Sequence, residues 1–85
     1  MKYYIGKIRE IVGELEFETT IRFKSYPGHA DEYLDQLARS WRLEHANFDD
    51  FLGGYDHGEV VVNAGSFIEV SKEVFDAVAE IITYL

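Results

Sequence analysis

Leu15-Glu16-Phe17-Glu18-Thr19-Thr20-Ile21-Arg22-Phe23-Lys24 alternates between two sets of side chains. Leu15, Phe17, Thr19, Ile21 and Phe23 form one set; Glu16, Glu18, Thr20, Arg22 and Lys24 form the other. Successive side chains of a strand point to opposite faces, so this period of two predicts a half-buried β-strand. Tyr3 to Val12 precedes it, with only Gly13-Glu14 between. Glycine in the first of two loop positions fits a type II′ hairpin turn. With Val12 opposite Leu15, the inner face pairs Tyr4 with Phe23, Gly6 with Ile21 and Ile8 with Thr19. The outer face pairs Arg9 with Glu18, opposite charges in direct register. Glu10 is the misfit. It faces inward opposite Phe17, which requires either a place at the rim of the sheet or a slip of register.

Ser25-Tyr26-Pro27-Gly28 ends the strand, and a helix is predicted from about Ala30 to Arg42. Tyr33, Leu34, Leu37, Ala38 and Trp41 recur at helical spacing. Asp31 and Glu32 in the first turn and Arg39 and Arg42 in the last suit the helix dipole, and Asp35 and Arg39 are spaced to pair. Residues 43–58 are marked by turn signals at Gly53-Gly54 and Asp56-His57-Gly58, with a short strand around Phe51 to Tyr55. Glu59–Asn63 and Ser66–Val70 read as two strands about an Ala64-Gly65 turn. A final helix over 72–85 is predicted from Ser71 as N-cap, with Val70 and Phe75 as a hydrophobic staple. Its buried stripe is Val74, Phe75, Val78, Ile82 and Leu85. Trp41 and Leu37 are expected to share a core with Phe75, Val78 and Ile82.

The fold class expected is α+β: a two-layer sandwich of about four antiparallel strands, with both helices on one face and the order ββαββα. Its 85 residues form a single domain, 1–85. Apolar residues make up 47% of the chain and recur throughout, which argues against disorder. There is no cysteine, so disulfides, thiolate metal sites and cysteine nucleophiles are excluded, and a reducing cytoplasm is the expected location. Position 3 already reads as strand, so no secretory leader is expected. The apolar runs fall far short of the ~20 residues a membrane helix needs.

Charge is divided unequally. Residues 1–42 hold seven acids and seven bases, whereas residues 43–85 hold nine acids against Lys72 alone. The second half therefore carries the whole net charge of −8. Such a field repels nucleic-acid backbones and speeds encounter with a basic partner. On the final helix Glu73, Asp76 and Glu80 fall on one side, spanning about 10 Å at a rise of ~1.5 Å per residue. Read blandly, this is a solvated helix face; read functionally, it is a row of partner-binding carboxylates. Asn47 to His57 interleaves Phe48, Phe51, Leu52 and Tyr55 with Asp49, Asp50 and Asp56, the pattern of recognition anchors amid steering charges. Phe51 and Leu52 are expected to plug the core. The candidate partner-binding set is thus Glu73, Asp76, Glu80, Asp49, Asp50, Asp56 and Tyr55.

Catalysis finds little footing. No serine lies in a Gly-x-Ser-x-Gly elbow, and there is no phosphate-binding glycine loop. His45, Asp49, Asp50 and His57 are metal-ligand types in a short span, but their spacing matches neither zinc nor calcium patterns. No cofactor and no catalytic residue is assigned. The outer face of the first hairpin carries Lys7, Arg9, Arg22 and Lys24 beside Tyr3, Ile5 and Ile11. Self-association through that face is a second expectation, ahead of direct nucleic-acid binding.

Small size, absence of cysteine, a compact α+β pattern and concentrated acid give the chain a general character that resembles the small acidic inhibitors of phages and mobile elements, the anti-CRISPR and anti-restriction proteins. The resemblance implies a non-enzymatic inhibitor that blocks a Lys/Arg-lined, nucleic-acid-binding groove, with Glu73, Asp76, Glu80, Asp49, Asp50 and Asp56 standing in for phosphates. Two other readings stay open: an acidic antitoxin or adaptor that binds a basic protein, and a small metal-dependent enzyme using His45, His57 and the nearby aspartates.

Overall fold

A computed structural model describes residues 1–42 and 46–85. β1 (Lys2–Val12) and β2 (Leu15–Ser25) pair antiparallel from Lys2 opposite Ser25 to Val12 opposite Leu15. This is the register the alternation predicts. Gly13 has φ +61° and Glu14 is not left-handed, as a type II′ turn requires. α1 (Ala30–Arg39) crosses the inner face, and its Leu34 and Ala38 are buried with Tyr4, Ile8, Ile21 and Phe23. Gly6 permits this approach: a Cβ there would meet Phe23 Cε1 at 3.0 Å and Leu34 Cδ2 at 3.4 Å.

The remaining strands differ from expectation. β3 (Asn47–Asp49) and β4 (Gly54–Asp56) form a hairpin, where a single strand around 51–55 is predicted. β5 (Val61–Val70) is one continuous strand rather than two, because β1 offers it a partner along most of its length. The predicted turn is absorbed as a bulge: Gly6 faces Phe67, Ile8 faces Ala64, and Gly65-Ser66 stand opposite Lys7. A Cβ on Gly65 would lie 2.9 Å from the Lys7 carbonyl oxygen, so backbone approaches backbone there.

The last helix is also shorter than predicted. α2 (Lys72–Ala77) begins at Ser71, whose hydroxyl accepts a hydrogen bond from Val74 N, but it stops after six residues. No base sits in its last turn, and Ile81-Ile82-Thr83 is a β-branched run. Both features disfavour helix continuation. The chain instead enters β6 (Thr83–Tyr84), parallel to β2 at Ile21 and Arg22. Arg22 Nε donates to Ile82 O (3.0 Å), and Leu85 N donates to Arg22 O (3.0 Å).

The result is α+β with a mixed six-stranded sheet, ordered β3-β4-β5-β1-β2-β6. It is not the four-stranded antiparallel sheet expected, and the element order is ββαβββαβ. Nor do the helices share a face. Phe75 of α2 packs on Tyr3, an outer-face residue, with ring centroids 5.0 Å apart, and Arg22 lies 4.5 Å over its ring. The expected core of Trp41, Leu37, Phe75, Val78 and Ile82 is therefore split by the sheet. Tyr3 is covered from within the chain and is not free for the self-association read from it. No helix among the described residues is long and apolar enough to cross a membrane.

Gly65→Ala is expected to lower stability by about 1–3 kcal/mol in urea unfolding, as overpacking does. Gly13→Ala has room for its Cβ, with nothing within 4 Å, but φ +61° strains any side chain there, so it is expected to cost about 1–3 kcal/mol through the backbone alone.

Candidate functional site

Turn chemistry builds the clearest feature on the surface. Asp49 ends β3, and its Oδ1 accepts hydrogen bonds from Phe51 N (2.9 Å) and Leu52 N (3.0 Å). Its carbonyl accepts from Gly53 N at 2.8 Å, and Gly53 takes φ +73°. These bonds hold residues 50–53 as an ordered tip. Phe51 stands on that tip with 95% of its surface exposed, and Leu52 and Phe48 are also exposed. The expectation that Phe51 and Leu52 plug the core is thus overturned. The four-residue turn they occupy projects beyond the last strand pair, Asp49 opposite Gly54.

The hairpin is tied to the body from below. The Tyr55 hydroxyl donates to Asp35 Oδ2 at 2.6 Å, and this bond pushes the Tyr55 hydroxyl pKa upward. Asp35 is thus joined to Tyr55, where a pairing with Arg39 is expected from spacing. The Phe48 ring meets Tyr55 edge-on at 5.3 Å. Asp56 Oδ1 accepts from Gly58 N, which shapes the turn into β5. Of the four candidates here, Asp49 and Tyr55 hold the hairpin, Asp50 presents an exposed carboxylate next to Phe51 in the tip, and Asp56, also exposed, lies at the other end of β4.

Glu73, Asp76 and Glu80 lie elsewhere. Glu73 and Asp76 are exposed on α2, over the outer face, and Lys72 Nζ donates to Asp76 Oδ2 at 2.9 Å. Glu80 is beyond the end of α2, so the predicted three-carboxylate helix row does not form. The structure therefore separates the candidate set into a hairpin group and an α2 group, with β5 between β4 and the strands that carry α2.

A second polar cluster resolves the inward-facing Glu10. Its Oε1 accepts from Trp41 Nε1 (3.1 Å), and its Oε2 accepts from Arg42 Nη2 (2.8 Å) and Nε (3.0 Å). Burial pushes this carboxyl up, but the hydrogen bonds from Arg42 and Trp41 and the Arg42 charge prevail and hold it below its ordinary 4.5. Nearby His57 is buried, with Nε2 2.9 Å from Ala38 O, and its Nδ1 has no partner among the described residues. For the metal reading, His45 lies outside the described residues, Asp49 is engaged in the turn, and His57 Nε2 meets a carbonyl. Among the described residues no group of three or more ligand-type side chains gathers.

Sequence reasoning missed Phe51 and Leu52 as surface residues. The available signal was Asp49 followed by Gly53-Gly54, an Asx-type turn that sets the intervening residues at a tip. No family model matches the chain, and no curated protein or solved structure matches it.

Glu10→Ala is expected to cost about 1–3 kcal/mol, since it strips Trp41 Nε1 of its acceptor and Arg42 of its counter-ion. Because the folded carboxyl titrates below 4.5, its stabilisation is complete above that pH and is lost as pH falls through the folded value. Glu10→Gln is expected to flatten the acid limb of a stability–pH curve below pH 4.5; an unchanged limb would count against the assignment.

Proposed function

We propose that this chain is a non-enzymatic acidic binding protein that inhibits its target by occupying a basic, nucleic-acid-binding groove, as anti-CRISPR and anti-restriction proteins do. The observation that carries the reading is Phe51, exposed on an ordered tip between Asp50 and Leu52. A rigid aromatic beside carboxylates combines an anchor with a steering charge, the composition of an interaction hot spot. The net charge of −8 supports the choice of a basic partner. The hairpin is the primary contact, and Glu73 and Asp76 on α2, with Glu80 past its end, are secondary acidic contacts.

Capture of partners on immobilised protein, with duplex DNA and RNA as competitors, tests the proposal. The expected partner is basic and is displaced by nucleic acid. A partner that nucleic acid does not displace would favour the antitoxin or adaptor reading instead. Phe51→Ala with Asp50→Lys is expected to weaken binding by more than about 2 kcal/mol, roughly thirtyfold. Its effect on stability is expected to stay near 0.5 kcal/mol per exposed position. Binding unmoved by this pair and by salt would overturn the proposal.

A further inference from the structure

One edge of β2 is open. β6 pairs only with Ile21 and Arg22, so among the described residues no strand borders Leu15–Thr20 on the side away from β1. The inner face of this stretch is apolar and bare: Leu15 is 61% exposed and Phe17 53%. A groove of about 290 Å³ adjoins it on the same face, lined by Leu37, Ser40 and Trp41 at one wall and Leu85 at the other. Trp41 is held there by Glu10, which lies opposite Phe17, and Leu85 by Arg22 O. The groove thus reaches from the level of Arg22, where Leu85 is bonded, to the level of Phe17, opposite Glu10, within the stretch whose edge is open.

We propose that Leu15–Thr20 takes an extended segment of a partner protein as an added strand, with apolar side chains entering the groove and basic ones on the other face. Strand addition uses main-chain hydrogen bonds for affinity and alternate side chains for specificity. The open edge supplies the first and the groove the second. The outer face supplies the charge. Glu16 and Glu18 stand beside the vacant lane, and Arg9, the base nearest them, is 2.8 Å from Glu16. Lysine or arginine at alternate positions of the incoming strand meets Glu18 directly.

A second copy of this chain fits less well. In a two-fold antiparallel pairing centred on Glu16, Phe17 or Glu18, at least one glutamate faces a glutamate, and like charges in register destabilise a pair. The edge also lies on the opposite side of the sheet from β3 and β4, so this site is independent of the hairpin.

The test titrates the full chain, ¹⁵N-labelled, with an end-blocked seven-residue peptide alternating valine and lysine. Amide shifts are expected at Leu15–Thr20, Trp41 and Leu85. Methylating alternate backbone nitrogens of the peptide keeps its charge but blocks pairing, and is expected to weaken binding at least tenfold. Phe17→Ser, at an exposed site, is expected to weaken it at least fivefold, and Phe51→Ala to leave it unchanged. Equal binding of the methylated peptide, or shifts spread over the acidic surface, would reduce the effect to charge attraction and overturn the proposal. Concentration-dependent shifts at Leu15–Thr20 without peptide would assign the edge to a second copy and overturn the choice of partner.

Discussion

The pairing of β1 with β2 decides where every other element can go. Eleven residues of β1 lie opposite eleven of β2, with the register fixed by the two-residue turn at Gly13-Glu14. A slip of one residue would exchange the two faces along the whole hairpin. With the register set, Tyr4, Ile8, Ile21 and Phe23 form the floor on which α1 lies, and Gly6 lets α1 approach closely. Tyr3, Arg22 and Lys24 are placed on the other face, where they meet Phe75 and Tyr84. Two small clusters of opposite orientation thus depend on one turn.

Glu10 joins the end of α1 to that floor. The helix stops at Arg39. Beyond it Trp41 and Arg42 reach Glu10 on the inner face. The inner face is thereby closed by a polar bond rather than by more apolar packing, and Phe17 and Leu15 remain bare. A half-covered strand with an open edge is ordinarily an aggregation liability, which charges beside the edge restrain. Glu14, Glu16 and Glu18 occupy those positions here.

What the sequence made legible was local. The alternation over 15–24, the turn at Gly13, the Ser71 cap and the start of α1 all rest on interactions within a few residues. The α+β class followed from them. The location of α2 did not, because Phe75 suits either face, and only the aromatic and cationic surroundings of Tyr3 and Arg22 settle it. Helical spacing also carried the reading past Ala77, although Ile81-Ile82-Thr83 and the missing terminal base argue for a stop. At the candidate site, the type of residue was legible but its exposure was not. Phe51 has the composition of a core residue, and only the geometry imposed by Asp49 and Gly53 turns it outward. Glu10 was legible as an anomaly, and its partners lay beyond the reach of spacing alone.

Separating the acidic residues into two groups limits what charge alone can do. Fields between exposed groups decay over about 8 Å at physiological salt. The hairpin and the α2 carboxylates belong to strands at least two spacings apart, roughly 10 Å. A compact basic patch therefore senses one group strongly and the other weakly, and only an extended basic surface engages both. Net charge then governs the rate of encounter, while the place of contact is set by whichever group carries an apolar anchor. In the function proposed for this chain, Phe51 is that anchor at the hairpin. On α2 the aromatic, Phe75, is buried against Tyr3 and Arg22, and the exposed apolar residues beside its carboxylates, Val74 and Ile81, are aliphatic.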